Sequence, residues 1–182
     1  MEKTIKTENP PTADTRVRTI VTMALMAALA CVATMVIRVP SPTGGYMNLG
    51  DTVVLLGAFL LGPWYGALAG GIGSAMADAL AGYMVYAPAT LVIKAVMAIL
   101  AGLLYRGLKE KSGGMILSAL VGEIPMVAGY WLFDALLLRS FAGSAAGIPS
   151  NLVQAGFGVA VSVFLAAALR KSGYVRSKFS NL

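Results

Sequence analysis

Between Arg18 and Arg38 the chain runs for 19 residues, Thr19 to Ile37, without a charged side chain. About 20 apolar residues in a helix are enough to cross the hydrocarbon core of a bilayer. Longer charge-free runs follow, 26 residues between Asp51 and Asp78 and 30 between Arg139 and Arg170. A chain with charges spaced this way folds inside a membrane. Hydrophobic residues make up 58% and charged residues 12%, against roughly 45–50% and about 25% in soluble domains. Mean hydropathy is +0.78. A soluble globule with so few charges would not cover its own surface. The net charge of +6 therefore reads as loops facing an anionic lipid leaflet, with the bilayer as partner and no nucleic acid.

The 182 residues suit one membrane domain. Residues 1–16 read as a cytoplasmic N-terminal tail and not as a signal peptide. Residues 17–170 read as the membrane domain, and residues 171–182 as a cytoplasmic basic tail. Spans are expected at about 17–38, 87–106, 114–138 and 149–170. The stretch 51–84 is divided by Gly62-Pro63 and can be one kinked span or two shorter ones. Charge bias chooses between them. With two spans both ends lie on one side, together with Lys3, Lys6, Arg16, Arg18, Arg106, Lys109, Lys111, Arg170, Lys171, Arg176 and Lys178. Only Arg38 and Arg139 then lie outside. One span would move the 106–111 loop and the C-terminus outside, against the positive-inside rule. The expected fold is thus all-α: a six-helix bundle in the plasma membrane with both termini cytoplasmic. Loop 39–50, VPSPTGGYMNLG, is too rich in Pro and Gly for helix.

The chemistry available is limited. There is no histidine, and Cys31 is the one cysteine. Histidine-based zinc sites, Ser-His-Asp triads and disulfides within the chain are excluded. The phosphate-cradling G-x-x-x-x-G-K-[ST] loop is absent, so any ATP hydrolysis belongs to a partner. No enzyme, metal or cofactor is expected. No internal repeat is evident, which argues against an inverted-repeat transporter.

Small residues recur at four-residue steps, at Gly62, Gly66, Gly70, Ser74, Asp78 and Gly82. Such a row lets helix backbones approach in lipid. Ala24 and Ala28 offer a second flat face, for internal packing or for another subunit.

Charges at membrane depth are costly and mark cavities or the bundle interior. At 1.5 Å per residue, Asp78, Lys94 and Asp134 lie ~6–10 Å below the outer helix ends. Asp51 begins the second span and reads as its cap. Glu123 lies deeper, near Pro125, and does not match Lys94 in depth. Glu123, Val127, Tyr130 and Asp134 share one helical face, as do Thr90 and Lys94. Asn151 and Gln154 fall together near the outer start of the last span, where Asn151 can also cap it. Tyr46, Tyr83, Tyr86 and Trp131 lie toward the same side. Rings to stack and fixed polar groups to orient suit a pocket for a small polar heteroaromatic molecule. The plainer alternatives are that Lys94 pairs with Asp78 or Asp134, that Tyr83 and Tyr86 are interfacial belt residues, and that Glu123 serves freed backbone or a neighbouring helix.

The stretches NLGDTVVLLGAFLLGPWYGALAGGIGSAMADALAGY (48–83) and YAPATLVIKAVMAILAGLL (86–104) resemble the substrate-binding S components of energy-coupling factor (ECF) transporters. MVAGYWLFDALLL (126–138) and IPSNLVQAGFG (148–158) fit the same family. The likeness extends over about 17–170. It implies a six-helix subunit that binds a vitamin or precursor from outside and works with a transmembrane coupling subunit and two cytoplasmic ATPases. It also implies that Ala24 and Ala28 form the A-x-x-x-A docking face for the coupling subunit, and that loop 39–50 is an extracellular lid. Asp78, Lys94, Glu123, Asp134, Asn151 and Gln154 are then the expected polar ligand contacts. Tyr83, Tyr86, Tyr130 and Trp131 would line the site, and Asn48 would close over it. The NLGD, YAPATLVIK and IP-N-x-x-Q pattern most resembles members for hydroxymethylpyrimidine or pyridoxine. Riboflavin or pantothenate is the alternative within the family. Outside it stand a self-sufficient proton-coupled carrier, with Glu123 and Asp134 as relay, and a purely structural subunit.

Overall fold

A computed structural model describes residues 13–179 and 181. Most of the 1–16 tail, with Lys3 and Lys6, lies outside the described residues. The chain forms α1 (Ala13–Val36), a short antiparallel ribbon β1 (Val39–Pro40) and β2 (Tyr46–Met47), α2 (Gly50–Leu61), α3 (Pro63–Leu80), α4 (Ala87–Leu108) and α5 (Gly114–Leu138). A single turn, α6 (Phe141–Ser144), then leads through a 3₁₀ turn to α7 (Ile148–Arg170) and α8 (Gly173–Lys178).

Among the described residues, four segments are long and apolar enough to cross a membrane: Thr15–Val36, Ala87–Leu108, Gly114–Leu138 and Phe141–Arg170. The stretch 51–84 forms the remaining pair, α2 and α3. At 12 residues, α2 is ~18 Å long and does not reach across a ~30 Å hydrocarbon core. Every residue of α2 is buried. A helix that is apolar all round belongs inside a bundle. It packs on α1, α3, α4 and α7, while α3 joins α1 to α4 and α5 joins α4 to α7. The outer helices thus wrap a short central one.

The break between α2 and α3 follows from two residues. Pro63 opens α3 and disfavours helical geometry at the residue before it. Gly62 takes φ 81°, ψ 178°, a region open essentially to glycine alone. The chain reverses there into an antiparallel helix pair. A Cβ on Gly66 would come within 2.7 Å of the Ala58 backbone, and one on Gly70 within 2.9 Å of the Val54 side chain. These glycines set the spacing of the pair. Gly62 and Gly82 lie outside α3 at positive φ, so the small-residue row is shorter than expected and its two ends are turns. The elbow is braced by Arg106, beside Gly62, and by Asn181, whose Nδ2 donates to the Leu60 carbonyl at 3.2 Å. The C-terminal tail is therefore packed structure as well as basic charge.

Loop 39–50 contains the β1–β2 ribbon, with Val39 opposite Met47 and Pro40 opposite Tyr46. Arg38 and Arg139 flank that end of the bundle. Arg16, Arg18, Arg106, Lys109, Lys111, Arg170, Lys171 and Lys178 sit at or near the helix ends on the opposite side.

Candidate functional site

Beneath the ribbon lies a cavity lined by Ser41, Thr43, Gly45, Tyr46 and Asn48 of loop 39–50, with Tyr86 of the α3–α4 turn and Asp78, Thr90, Tyr130, Asp134 and Asn151 of the helices. Its volume is about 30 Å³, room for a few waters at about 10–15 Å³ each. Asp78 sits near the end of α3 and Asp134 near the end of α5; both are at least 96% buried. Each accepts a hydrogen bond from a tyrosine. The Tyr46 hydroxyl donates to Asp78 Oδ1 at 2.6 Å, and the Tyr86 hydroxyl to Asp134 Oδ1 at 2.9 Å. Burial, then the hydrogen bond to Asp78, pushes the Tyr46 hydroxyl far above the usual phenol range. Burial, then Asp134, does the same to Tyr86. Both hydroxyls hold their protons and serve as donors. Asp78 Oδ2 is buried in the cavity wall with no hydrogen-bond partner.

Aromatic rings fasten the lid. Tyr46 and Tyr83 have centroids 4.6 Å apart, Tyr83 and Tyr86 6.3 Å, and Tyr86 and Phe133 5.2 Å. Tyr83 thus holds the lid tyrosine from outside the cavity lining. Thr90 and Tyr130 share a hydrogen bond of 2.9 Å across the floor.

A second polar layer lies below. The Lys94 ammonium pairs with Asp51 Oδ1, both side chains fully buried. Gln154 Nε2 donates to Asp51 Oδ2 at 2.7 Å. Gln154 Oε1 accepts from the Asn48 backbone N–H at 2.6 Å. Lys94 also stands over the Tyr130 ring, 5.3 Å from its centroid. A chain of contacts therefore runs from the lid through α7 and α2 to α4 and α5. Glu123 joins this layer. A Cβ on Gly158 would meet Glu123 Oε1 at 2.8 Å and Asp51 Cβ at 2.9 Å. Both Glu123 oxygens lack a hydrogen-bond partner.

Several expectations are corrected here. Lys94 pairs with Asp51, and with neither Asp78 nor Asp134. Asp51 does not cap α2, whose N-cap is Leu49 with no side-chain cap bond; buried beneath the lid, it needs a counter-charge. Asn151 does not cap α7, which begins at Ile148, and it lines the cavity instead. Glu123 shares its layer with Asp51 and Lys94 because Gly158 leaves space for it, and it does not serve backbone freed by Pro125. Trp131 faces away from the cavity. Its Nε1 donates to the Phe141 carbonyl at 3.3 Å, and its ring borders an apolar groove between α5 and α7.

Of the expected contacts, Asn48, Asp78, Tyr86, Tyr130, Asp134 and Asn151 come together in the cavity wall. Lys94, Glu123 and Gln154 lie beneath it, and Tyr83 and Trp131 lie outside. Ser41 and Thr43 were missed. Thr43 is buried, its carbonyl accepts from the Tyr86 hydroxyl at 3.4 Å, and its side chain packs against Gly147. A threonine in a Pro- and Gly-rich loop carries no signal of burial.

On another face, Ala24 and Ala28 are exposed. They border an apolar groove whose far wall is Leu68, Ala69, Ile72 and Met76 of α3.

Comparison with known proteins places this geometry. The chain is 38% identical over 141 residues to an uncharacterized protein in the gap 3′ region of Pyrococcus woesei, covering 77% of this chain and 93% of that one. A solved structure of the S component of a bacterial ECF transporter superposes with a TM-score of 0.70, at 18% identity over 86% of this chain and 97% of that one. The S component for biotin from an ECF-type ABC transporter superposes at 0.68, with 20% identity over 93% and 100%. The family model described as the ECF-type riboflavin transporter, S component, matches residues 14–171. The chain belongs to that family of ECF transporter S components.

Proposed function

We propose that this chain captures hydroxymethylpyrimidine or pyridoxine from outside the cell at the cavity under the lid, for an ATP-driven ECF importer. The chain passes six times through a bundle in the plasma membrane, the short α2 enclosed by the longer helices, with both termini in the cytoplasm. A transmembrane coupling subunit docks on Ala24 and Ala28, and two partner ATPases supply the energy. The observation that carries the reading is the cavity itself. Two buried carboxylates, tyrosine hydroxyls and amides converge beneath a short ribbon.

The two tyrosine hydrogen bonds suggest how a ligand enters. A heteroaromatic ring exceeds the roughly 30 Å³ now enclosed, so Tyr46 and Tyr86 must swing aside to admit it. Ring N–H, amino or hydroxymethyl donors then replace the tyrosine hydroxyls on Asp78 and Asp134. Asn48 and Asn151 supply further polar contacts, and Thr90 and Tyr130 form the floor. The lid closes over a ligand whose polar groups are all paired. That pairing is needed before the bundle can reorient within lipid, where an unpaired polar group is costly.

The description of the matching family favours riboflavin as a second reading. Mass spectrometry of small molecules released from protein purified in mild detergent separates the two. A stoichiometric hydroxymethylated pyrimidine or pyridine is expected. A released flavin would replace the substrate and keep the binding role. An empty protein that also binds no vitamin from a panel would defeat the reading.

A further inference from the structure

The cavity wall is unbalanced in charge. Asp78 and Asp134 face it from α3 and α5, and among the described residues no lysine or arginine lines it. The nearest ammonium, Lys94, is in the layer below and is already paired with Asp51. The Arg38 guanidinium stands over the Tyr46 ring, 6.0 Å from its centroid, and is itself exposed. Tyr46 of loop 39–50 and Tyr86 at the start of α4 are phenolic donors that each satisfy one carboxylate oxygen. Asp78 Oδ2 is buried and makes no hydrogen bond of good geometry among the described residues; the hydroxyl beside it, Thr90, is shared with Tyr130.

Buried carboxylates without counter-charge are costly to keep ionised. The structure places no protein cation there to offset that cost. A ligand with N–H donors or a positive charge would offset it, whereas a ligand carboxylate or phosphate would add a third like charge at close range. Like charges brought together in a desolvated site are a strong means of rejection.

We infer that Asp78 and Asp134 act as a charge filter, selecting cationic or N–H-rich heteroaromatic ligands and rejecting those that bear a carboxylate or phosphate. The inference rests on the cavity being the substrate site, as proposed above. It deepens that reading by fixing the charge class. Pantothenate and phosphorylated vitamins fall on the rejected side, and aminopyrimidines and pyridines with amino or hydroxymethyl arms on the accepted side.

The test is calorimetric titration of the full chain in detergent with compounds matched in shape and different in charge. Pyridoxamine, pyridoxine and 4-pyridoxate differ only at one ring position, as ammonium, hydroxyl and carboxylate. Hydroxymethylpyrimidine and its 5-carboxylate form a second pair, and riboflavin and riboflavin phosphate a third. In whichever series binds, the carboxylate or phosphate member is expected to bind at least 100-fold more weakly. Asp78→Asn or Asp134→Asn should narrow that gap by tenfold or more, in protein that still elutes as a single species. An anionic member that binds as tightly as its neutral partner, and is blocked by Thr90→Trp, overturns the filter and leaves the site in place. Binding unaffected by Thr90→Trp, or no binding in any series, overturns the site and the filter with it.

Discussion

Lys94 is the residue whose surroundings are most demanding. Its ammonium is fully buried, held by Asp51 on α2 and by the Tyr130 ring on α5. Position along the sequence had already put Lys94, Asp78, Asp134 and Asp51 toward one end of the bundle. It could not pair them. Rise per residue gives the depth of a Cα, whereas a lysine reaches further along its four-carbon stem, and one residue turns a side chain about 100° around the helix. Asp51 looked like a cap because it begins a helix, and nothing in the sequence says that the lid covers that end. Glu123 was misplaced for a related reason. Its partner layer depends on Gly158, 35 residues later, leaving room for the carboxyl. The ion pair makes a sharp prediction. Lys94→Met leaves Asp51 charged and unpaired, which should lower stability by about 3–5 kcal/mol. The double variant Asp51→Asn with Lys94→Met should recover most of that loss. Thermal unfolding in detergent measures both. A single variant as stable as the parent would mean that Asp51 carries no charge there.

At the scale of elements, the helix boundaries were the most legible part. Gly62-Pro63 marked the break, and α2 and α3 meet there. Apolar runs bounded by charges mark α1, α4, α5 and α7 to within a few residues, with Lys94, Glu123 and Asp134 as charges inside α4 and α5. The β1–β2 ribbon was illegible, because two-residue strands have no periodicity to detect. The α6 turn was illegible as well, since its cap, Ser140 accepting from the Gly143 N–H at 3.0 Å, is a common loop pattern. The antiparallel α2–α3 pair is what brings the lid and the 81–86 turn to the same end of the molecule. This predicts sidedness in intact cells. In a Cys31→Ser background, Arg38→Cys and Met84→Cys should react with a membrane-impermeant maleimide added outside. Lys111→Cys should react only after the membrane is opened. If Lys111→Cys labels from outside while Arg38→Cys does not, the proposed orientation is reversed.

Across the whole molecule, the proposed binding cavity and the proposed docking groove lie on different surfaces. The cavity opens at the lid end, between α3, α4, α5 and α7. Ala24 and Ala28 lie midway along α1, on its exposed side. Beside them α1 is held tightly to α3, where Gly73 lies against the Ala27 carbonyl and Ala30. Pairs of alanines could suggest a flat face from the sequence. That α3 would supply the far wall, through Leu68, Ile72 and Met76, depended on helix rotation and was out of reach. An apolar groove of small and flexible side chains suits a helix of a partner subunit approaching within the bilayer. Bulk placed there should stop assembly and leave the cavity untouched. Ala24→Trp with Ala28→Trp is therefore expected to abolish vitamin uptake by cells and reduce co-purification of the coupling subunit at least tenfold. The dissociation constant of the isolated chain for its vitamin should change less than twofold. Retained uptake would move the docking surface elsewhere. Loss of binding in the isolated chain would mean that α1 transmits strain to the lid, and that the two surfaces are not independent.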